Sequence, residues 1–217
     1  MMQIAKDFFS FPEEERLKSY SDDPNKATRL STSFNIQTEK VANWRDFLRL
    51  RCYPLEDYVH EWPTNPSMFR AHVKEYCTIV RGLALELVEA ISESLGLERD
   101  YIGKQLGKHE QHMALNYYPP CPQPDLTYAQ VLSNDKYKSI LHRAVVNCDK
   151  ERISIPTFYC PSRDAMISPA PQLVTKDQPA VYRPFRYGEY YDKFLNRGLA
   201  TENCLDMFMA TKSTRSA

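Results

Sequence analysis

Tyr137-Lys138-Ser139-Ile140-Leu141-His142-Arg143-Ala144-Val145-Val146-Asn147, a turn at Cys148–Glu151, and then Arg152-Ile153-Ser154-Ile155-Pro156 lie in the second half of the chain. The first of these runs is short, rich in β-branched and aromatic residues, and bounded by Asn and Asp. Ile153–Cys160 and His112–Tyr118 have the same character, and all three read as β structure. What precedes them is different. Met2, Ile4, Ala5, Phe8 and Phe9 recur at helical spacing, so the chain begins inside a helix. Ser10 and Glu13 resemble a capping box with Pro12 inside the first turn, which predicts a short helix to about Tyr20. Residues 21–43 are polar and turn-rich and read as an extended surface segment, and Asn43–Tyr53 reads as a strand.

The strongest helical signal follows. Asn65 stands as a cap, Pro66 at the first helical position, and Gly96 at the end of about thirty residues. Phe69, Val73, Tyr76, Val80, Leu83, Leu87, Ile91 and Leu95 make one apolar stripe, read as core packing along its whole length. A second helix over about Arg99–Leu106 ends at Gly107, and an amphipathic one over Glu189–Leu195 precedes a polar tail. Helices first, strands next and a last helix predict an α+β fold with its sheet in the second half. The expected regions are 1–107 (helical), 108–187 (β) and 188–217 (helix and tail).

Composition bounds the function. Lys+Arg and Asp+Glu are equal at 28 each among 217 residues. The local excesses, acidic over 1–24 and basic over 136–152, are short and read as solvated faces. A nucleic-acid partner is therefore not expected. No window approaches 18 uninterrupted apolar residues, so no membrane span is expected either. The start lacks the basic-then-apolar order of a signal peptide. The six scattered cysteines form no CxxC pair, which points to reduced thiols in the cytoplasm rather than a disulfide or zinc scaffold. The chain has 6 glycines where average usage near 7 % predicts roughly fifteen.

Arg152 and Ser154 are two apart, hence on one face of a strand. An arginine in an apolar strand is costly unless paired, and a guanidinium beside a hydroxyl suits a carboxylate ligand. His142, ten residues upstream, is either a satisfied core histidine or a metal ligand close to that carboxylate. It shares a face with Arg152 only if the intervening hairpin has a loop of odd length or a bulge.

The run His109-Glu110-Gln111-His112-Met113-Ala114-Leu115-Asn116-Tyr117-Tyr118-Pro119-Pro120-Cys121-Pro122 resembles the Asn-Tyr-Tyr-Pro-x-Cys-Pro motif of plant Fe(II)/2-oxoglutarate-dependent oxygenases. Val131-Leu132-Ser133-Asn134, the Leu141–Asn147 run and Glu151-Arg152-Ile153-Ser154-Ile155-Pro156 are similar to the same family. So are Asp7-Phe8-Phe9-Ser10 and Trp44-Arg45-Asp46-Phe47-Leu48, so the resemblance runs through nearly the whole chain. It is strongest to the downy-mildew-resistance-type salicylate hydroxylases and the flavonoid oxygenases. It implies a double-stranded β-helix (jelly-roll) after the helical half, with Fe(II), 2-oxoglutarate and O2 acting on a small aromatic or phenolic substrate. By this resemblance His142 is the second histidine ligand of the iron. Arg152 and Ser154 bind the distal carboxylate of 2-oxoglutarate, Tyr118 also contacts it, and Asn116 lies near.

One part of the family pattern is missing. Its first histidine and its carboxylate come as His-x-Asp soon after the Pro-x-Cys-Pro turn. Here Pro122–Tyr128 runs straight into Ala129-Gln130-Val131, and no His-x-Asp or His-x-Glu occurs anywhere. A join near 128–130 therefore omits about four strands, on the order of 50 residues at typical strand lengths. The family's opening segment before Met1 is also missing, so the jelly-roll is expected to be incomplete and the chain inactive. A single imidazole does not hold Fe(II), because the site needs three ligands on one face. His109 and His112, three apart on a strand, fall on opposite faces, and Asp125 reads as a solvated turn residue. The glycine shortage fits an omitted glycine-rich segment. The other readings of the same chain are a non-catalytic remnant that binds 2-oxoglutarate or a partner, and a fragment that does not fold alone.

Overall fold

The sheet that organises the first half is antiparallel throughout. In a computed structural model, residues 1–33, 35, 45–119, 149–196 and 204–210 are described. Strand β1 (Thr28–Ser31) pairs with β2 (Asp46–Tyr53), and β2 pairs with β3 (Glu110–Tyr118). Along its other edge β3 pairs first with β4 (Arg152–Ser154) and then with β5 (Thr157–Cys160). The expected strand Ile153–Cys160 is thus two. Pro156 has no N–H to give to a ladder, and its carbonyl instead accepts from Ala114 N at 3.0 Å. The expected strand Tyr137–Asn147 lies outside the described residues.

Register makes the sheet two-faced. Leu30 stands opposite Leu48 and Leu48 opposite Leu115; Leu50 stands opposite Met113. These residues, with Cys52, are buried on one face against helix α1 (Met2–Ser10) and the first turns of helix α4 (Phe69–Ser94). Helix α1 contributes Ile4, Ala5, Phe8 and Phe9, and α4 contributes Phe69, Val73 and Cys77. The Phe8 and Phe69 rings lie 5.9 Å apart, and Phe9 stacks on Tyr117 at 5.2 Å. Because side chains alternate along a strand, the opposite face carries Arg29, Ser31, Phe47, Arg49, Arg51, His112, Asn116 and Tyr118.

Several expectations are corrected. Ser10 is the last residue of α1, and its hydroxyl donates to Lys6 O instead of capping. The next helix, α2 (Glu13–Leu17), has Pro12 at its N-cap and ends before Tyr20. Residues 28–31, expected at the surface, form the buried strand β1. Polar as they are, they are buried because Arg29 donates to Ser21 O, Ser31 Oγ and Ser33 O. Helix α4 begins at Phe69, not Pro66, and Asn65 donates its side-chain amide to Glu15 Oε1 instead of capping. The stripe on α4 is not core along its whole length: Leu83, Leu87 and Ile91 are exposed, while Leu95 packs against Leu97, Ala170 and Leu173. A 26-residue helix runs about 39 Å at 1.5 Å per residue, and the apolar cluster reaches only as far as Cys77.

Contacts divide the chain into two compact units. The one just described comprises 1–87, 109–125 and 145–160. The other comprises 88–108, 126–144 and 161–217. It contains the end of α4, α5 (Tyr101–Leu106), the hairpin of β6 (Met166–Ile167) with β7 (Phe185–Arg186), and α6 (Tyr187–Asn196). Ala165, Ile167, Tyr182, Phe185, Leu205 and Phe208 form its main cluster. Gly96 and Gly107 end α4 and α5 at φ +72° and +66°, a conformation that favours glycine. A Cβ on Gly107 would also meet Ser162 Oγ at 2.8 Å.

Leu48→Ala is expected to destabilise the chain by about 2–5 kcal/mol, since it opens a cavity between two leucine neighbours. Leu83→Ala, on the exposed part of α4, is expected to stay within about 0.5 kcal/mol. Urea denaturation of both variants checks the contrast. A second expectation concerns His112, whose Nε2 lies 3.0 Å from Glu110 Oε2. Burial pushes its imidazole below the ordinary 6.5, and the Glu110 hydrogen bond opposes that without reversing it. The unfolded chain thus takes up this proton at higher pH than the folded one. The stabilising contribution is complete above about 6.5 and is lost as pH falls below it. Urea midpoints recorded from about pH 7 down to about pH 5 are therefore expected to fall less steeply in His112→Asn than in the wild type.

Candidate functional site

Strand pairing assembles four of the five expected site residues. Asn116 stands opposite Ser154, and Tyr118 opposite Arg152. Directly opposed residues of an antiparallel pair share a face, as do residues two apart on one strand. All four side chains therefore project from the polar face, while Ile153 between them turns to the apolar cluster. Asn116 Nδ2 donates to Ser154 Oγ at 3.4 Å. The Arg152 guanidinium lies over the Tyr118 ring, 5.1 Å from its centroid. Arg152 is exposed and Ser154 half-buried, whereas Asn116 and Tyr118 are buried. The buried pair sets the floor of the site and the arginine remains reachable. His142, the fifth, lies outside the described residues.

The surroundings are cationic. Arg29 and Arg49 are paired in register and Arg51 follows on the same face. Arg29 is wholly buried, and burial first and the neighbouring Arg49 second lower its affinity for its proton. Arg29 and Arg45 lie 5.7 and 5.0 Å from the Phe47 ring centroid. Glu110 offsets part of this charge, 3.6 Å from Arg51 Nη2. Such a face favours an anion, and a guanidinium with a neighbouring hydroxyl matches a carboxylate.

Other residues weighed as ligands go elsewhere. His109 precedes β3, and its Nδ1 is hydrogen-bonded to the Tyr159 hydroxyl. His112 is held by Glu110. Asp125 lies outside the described residues. Among the described residues no group of three His, Cys, Asp or Glu is placed to hold a metal ion. Arg45 and Phe47 were not singled out as site residues from sequence. The signal was present, since they are two apart and directly precede or open β2, with Phe47 opposite Asn116.

Comparison with known proteins speaks to the family of the chain. Residues 1–65 match the family model for the non-haem dioxygenase N-terminal region found in morphine synthesis, and 127–161 match that of the 2OG-Fe(II) oxygenase superfamily. The chain is 52 % identical to DMR6-LIKE OXYGENASE 1 of Arabidopsis thaliana, an alignment covering 97 % of this chain and 74 % of that protein. It is 45 % identical to flavanone 3-dioxygenase 2 of Oryza sativa subsp. japonica (96 % and 75 %) and 43 % identical to DOWNY MILDEW RESISTANCE 6 of Arabidopsis thaliana (96 % and 76 %). The alignment with the first runs over 258 positions while this chain has 217 residues, so at least 41 of those positions meet no residue here. In fold, the chain is similar to the crystal structure of JOX2 in complex with 2OG, Fe and JA, with a TM-score of 0.82 at 23 % identity, covering 97 % of this chain and 78 % of that one. Fe(II) and 2-oxoglutarate are the cofactor and cosubstrate of these proteins as a group, and an α+β jelly-roll is their fold. The chain belongs to the plant Fe(II)/2-oxoglutarate-dependent oxygenase family.

Proposed function

We propose that this chain is an oxygenase-family protein for a small aromatic or phenolic metabolite, which binds 2-oxoglutarate but does not turn over in this form. The observation that carries the first half is the shared face of Asn116, Tyr118, Arg152 and Ser154. In this reading the Arg152 guanidinium and the Ser154 hydroxyl donate to the distal carboxylate of 2-oxoglutarate. The Tyr118 ring backs the guanidinium at 5.1 Å and holds it in place. Asn116 holds the Ser154 hydroxyl. The aromatic substrate is supported by relatives named flavanone 3-dioxygenase 2 and naringenin,2-oxoglutarate 3-dioxygenase. A cytoplasmic setting is supported by Cys52, Cys77, Cys160 and Cys204, which are in no disulfide.

The second half rests on the iron ligands. Iron supplies the O2 chemistry of the family, and it needs three ligands on one face. The sequence has no His-x-Asp or His-x-Glu. Among the described residues none cluster to take their place. The described residues of this chain thus fit the cosubstrate and supply no three-ligand set for the metal. The alignment positions without a residue here support an internal omission at the join near 128–130.

Purified chain supplied with Fe(II), 2-oxoglutarate and candidate phenolics, a flavanone among them, is expected to form no succinate above background. Turnover that His142→Ala abolishes would overturn the inactive reading. In thermal unfolding, saturating 2-oxoglutarate is expected to raise the midpoint, by the equivalent of about 2.7 kcal/mol at a hundredfold excess over Kd. Arg152→Ala is expected to remove that rise. A melt without cooperativity would instead mark a fragment that does not fold alone.

A further inference from the structure

We infer that Arg45 is a positioning residue for the cosubstrate carboxylate, acting through Asn116 on the direction of the Ser154 hydroxyl. The inference rests on the reading that Arg152 and Ser154 bind 2-oxoglutarate, and extends it to a residue that touches neither. Arg45 Nη1 donates to Asn116 Oδ1 at 3.4 Å, and Asn116 Nδ2 donates to Ser154 Oγ at 3.4 Å. The guanidinium is held beside the sheet by the Phe47 ring, 5.0 Å from its centroid. Phe47 in turn stands directly opposite Asn116 on β3.

The chemistry of the three groups gives the chain a fixed polarity. A guanidinium has donors and no acceptor, so it donates to the oxygen end of an amide and cannot bond to the NH2 end. Asn116 is therefore oriented with Oδ1 toward Arg45 and the NH2 group toward Ser154. An NH2 group has only donors, so Ser154 Oγ must accept from it. The single O–H of Ser154 is then left to donate to a third group, and a carboxylate oxygen seated against Arg152 is such a group. Without Arg45 the buried amide can turn over. Its oxygen would then take the Ser154 proton, and the hydroxyl would present only lone pairs to an anion. Arg45 thus decides whether Ser154 attracts or repels the ligand, although Arg152 carries the principal charge.

Calorimetric titration of the full chain with 2-oxoglutarate tests this without requiring turnover. Ser154→Ala is expected to weaken binding about tenfold, the loss of one hydrogen bond to a charged group. Arg45→Met is expected to weaken it about three- to tenfold in the wild-type background and less than about twofold in the Ser154→Ala background. Arg45→Lys, which keeps a donor facing Asn116 Oδ1, is expected to recover most of the loss. Asn116→Asp, which has no NH2 to donate, is expected to behave like Arg45→Met while Arg45 is still present. Equal losses from Arg45→Met in both backgrounds would mean that Arg45 acts by charge alone and would overturn the relay. The underlying site is checked separately by Arg152→Ala: wild-type affinity in that variant, or no binding by the wild-type chain, overturns the site reading itself. Urea midpoints of each variant show whether any loss of binding is a loss of fold.

Discussion

The pairing of β3 with its neighbours on both edges is the constraint from which the rest follows. Residues 111–117 of β3 are each placed opposite one residue of β2 and, over most of the strand's length, β3 also meets β4 or β5. A slip of one position would turn Met113 and Leu115 away from the helices and bury Asn116 among leucines. Register is therefore enforced by the apolar face, and the polar face inherits its geometry at no further cost. Asn116 meets Ser154 and Tyr118 meets Arg152 on one edge of β3 while Leu48 meets Leu115 on its other edge.

That dependence explains how a face rich in arginine sits on a packed sheet. Its arginines are tolerated because each is occupied. Arg29 is bonded to serine and backbone oxygens, Arg49 to the carbonyls of Pro24 and Lys26, and Arg152 is stacked on Tyr118. Rings at Phe47 and Tyr118 supply faces over which guanidinium groups are placed. A face with this density of guanidinium groups favours an anion, which is the electrostatic ground of the proposed cosubstrate site. In the proposed reading binding and turnover separate, since the candidate cosubstrate residues lie on two adjacent strands whereas iron requires three ligands on one face.

Much of this was legible from residue patterns. Arg152 and Ser154 two apart on a strand meant a shared face, and the helical repeat of Ile4, Ala5, Phe8 and Phe9 meant a buried helix. Gly96 and Gly107 marked helix ends because glycine alone enters positive φ freely. Other features were not legible, for identifiable reasons. The polar sequence 28–31 forms a buried strand only because Arg29 finds three oxygens from residues 21–33. The periodicity of α4 says which face is apolar and not how far along it another element extends, so Leu83, Leu87 and Ile91 were misplaced. Ser10 and Asn65 have good capping side chains, but each found another partner.

By itself the sequence determined the kind of chemistry: the motif around Asn116–Tyr118, the Arg152–Ser154 pair, and the want of a His-x-Asp. These are statements about residue identity and spacing along one strand, where the period of two is local physics. Only the tertiary structure decided that the two strands are neighbours in the register that sets Asn116 against Ser154 and Tyr118 against Arg152. It also brought in Arg45, 71 residues from Asn116 along the chain. Cross-strand partners are chosen by which apolar residues bury together, and that choice is made by the whole core rather than by any one segment.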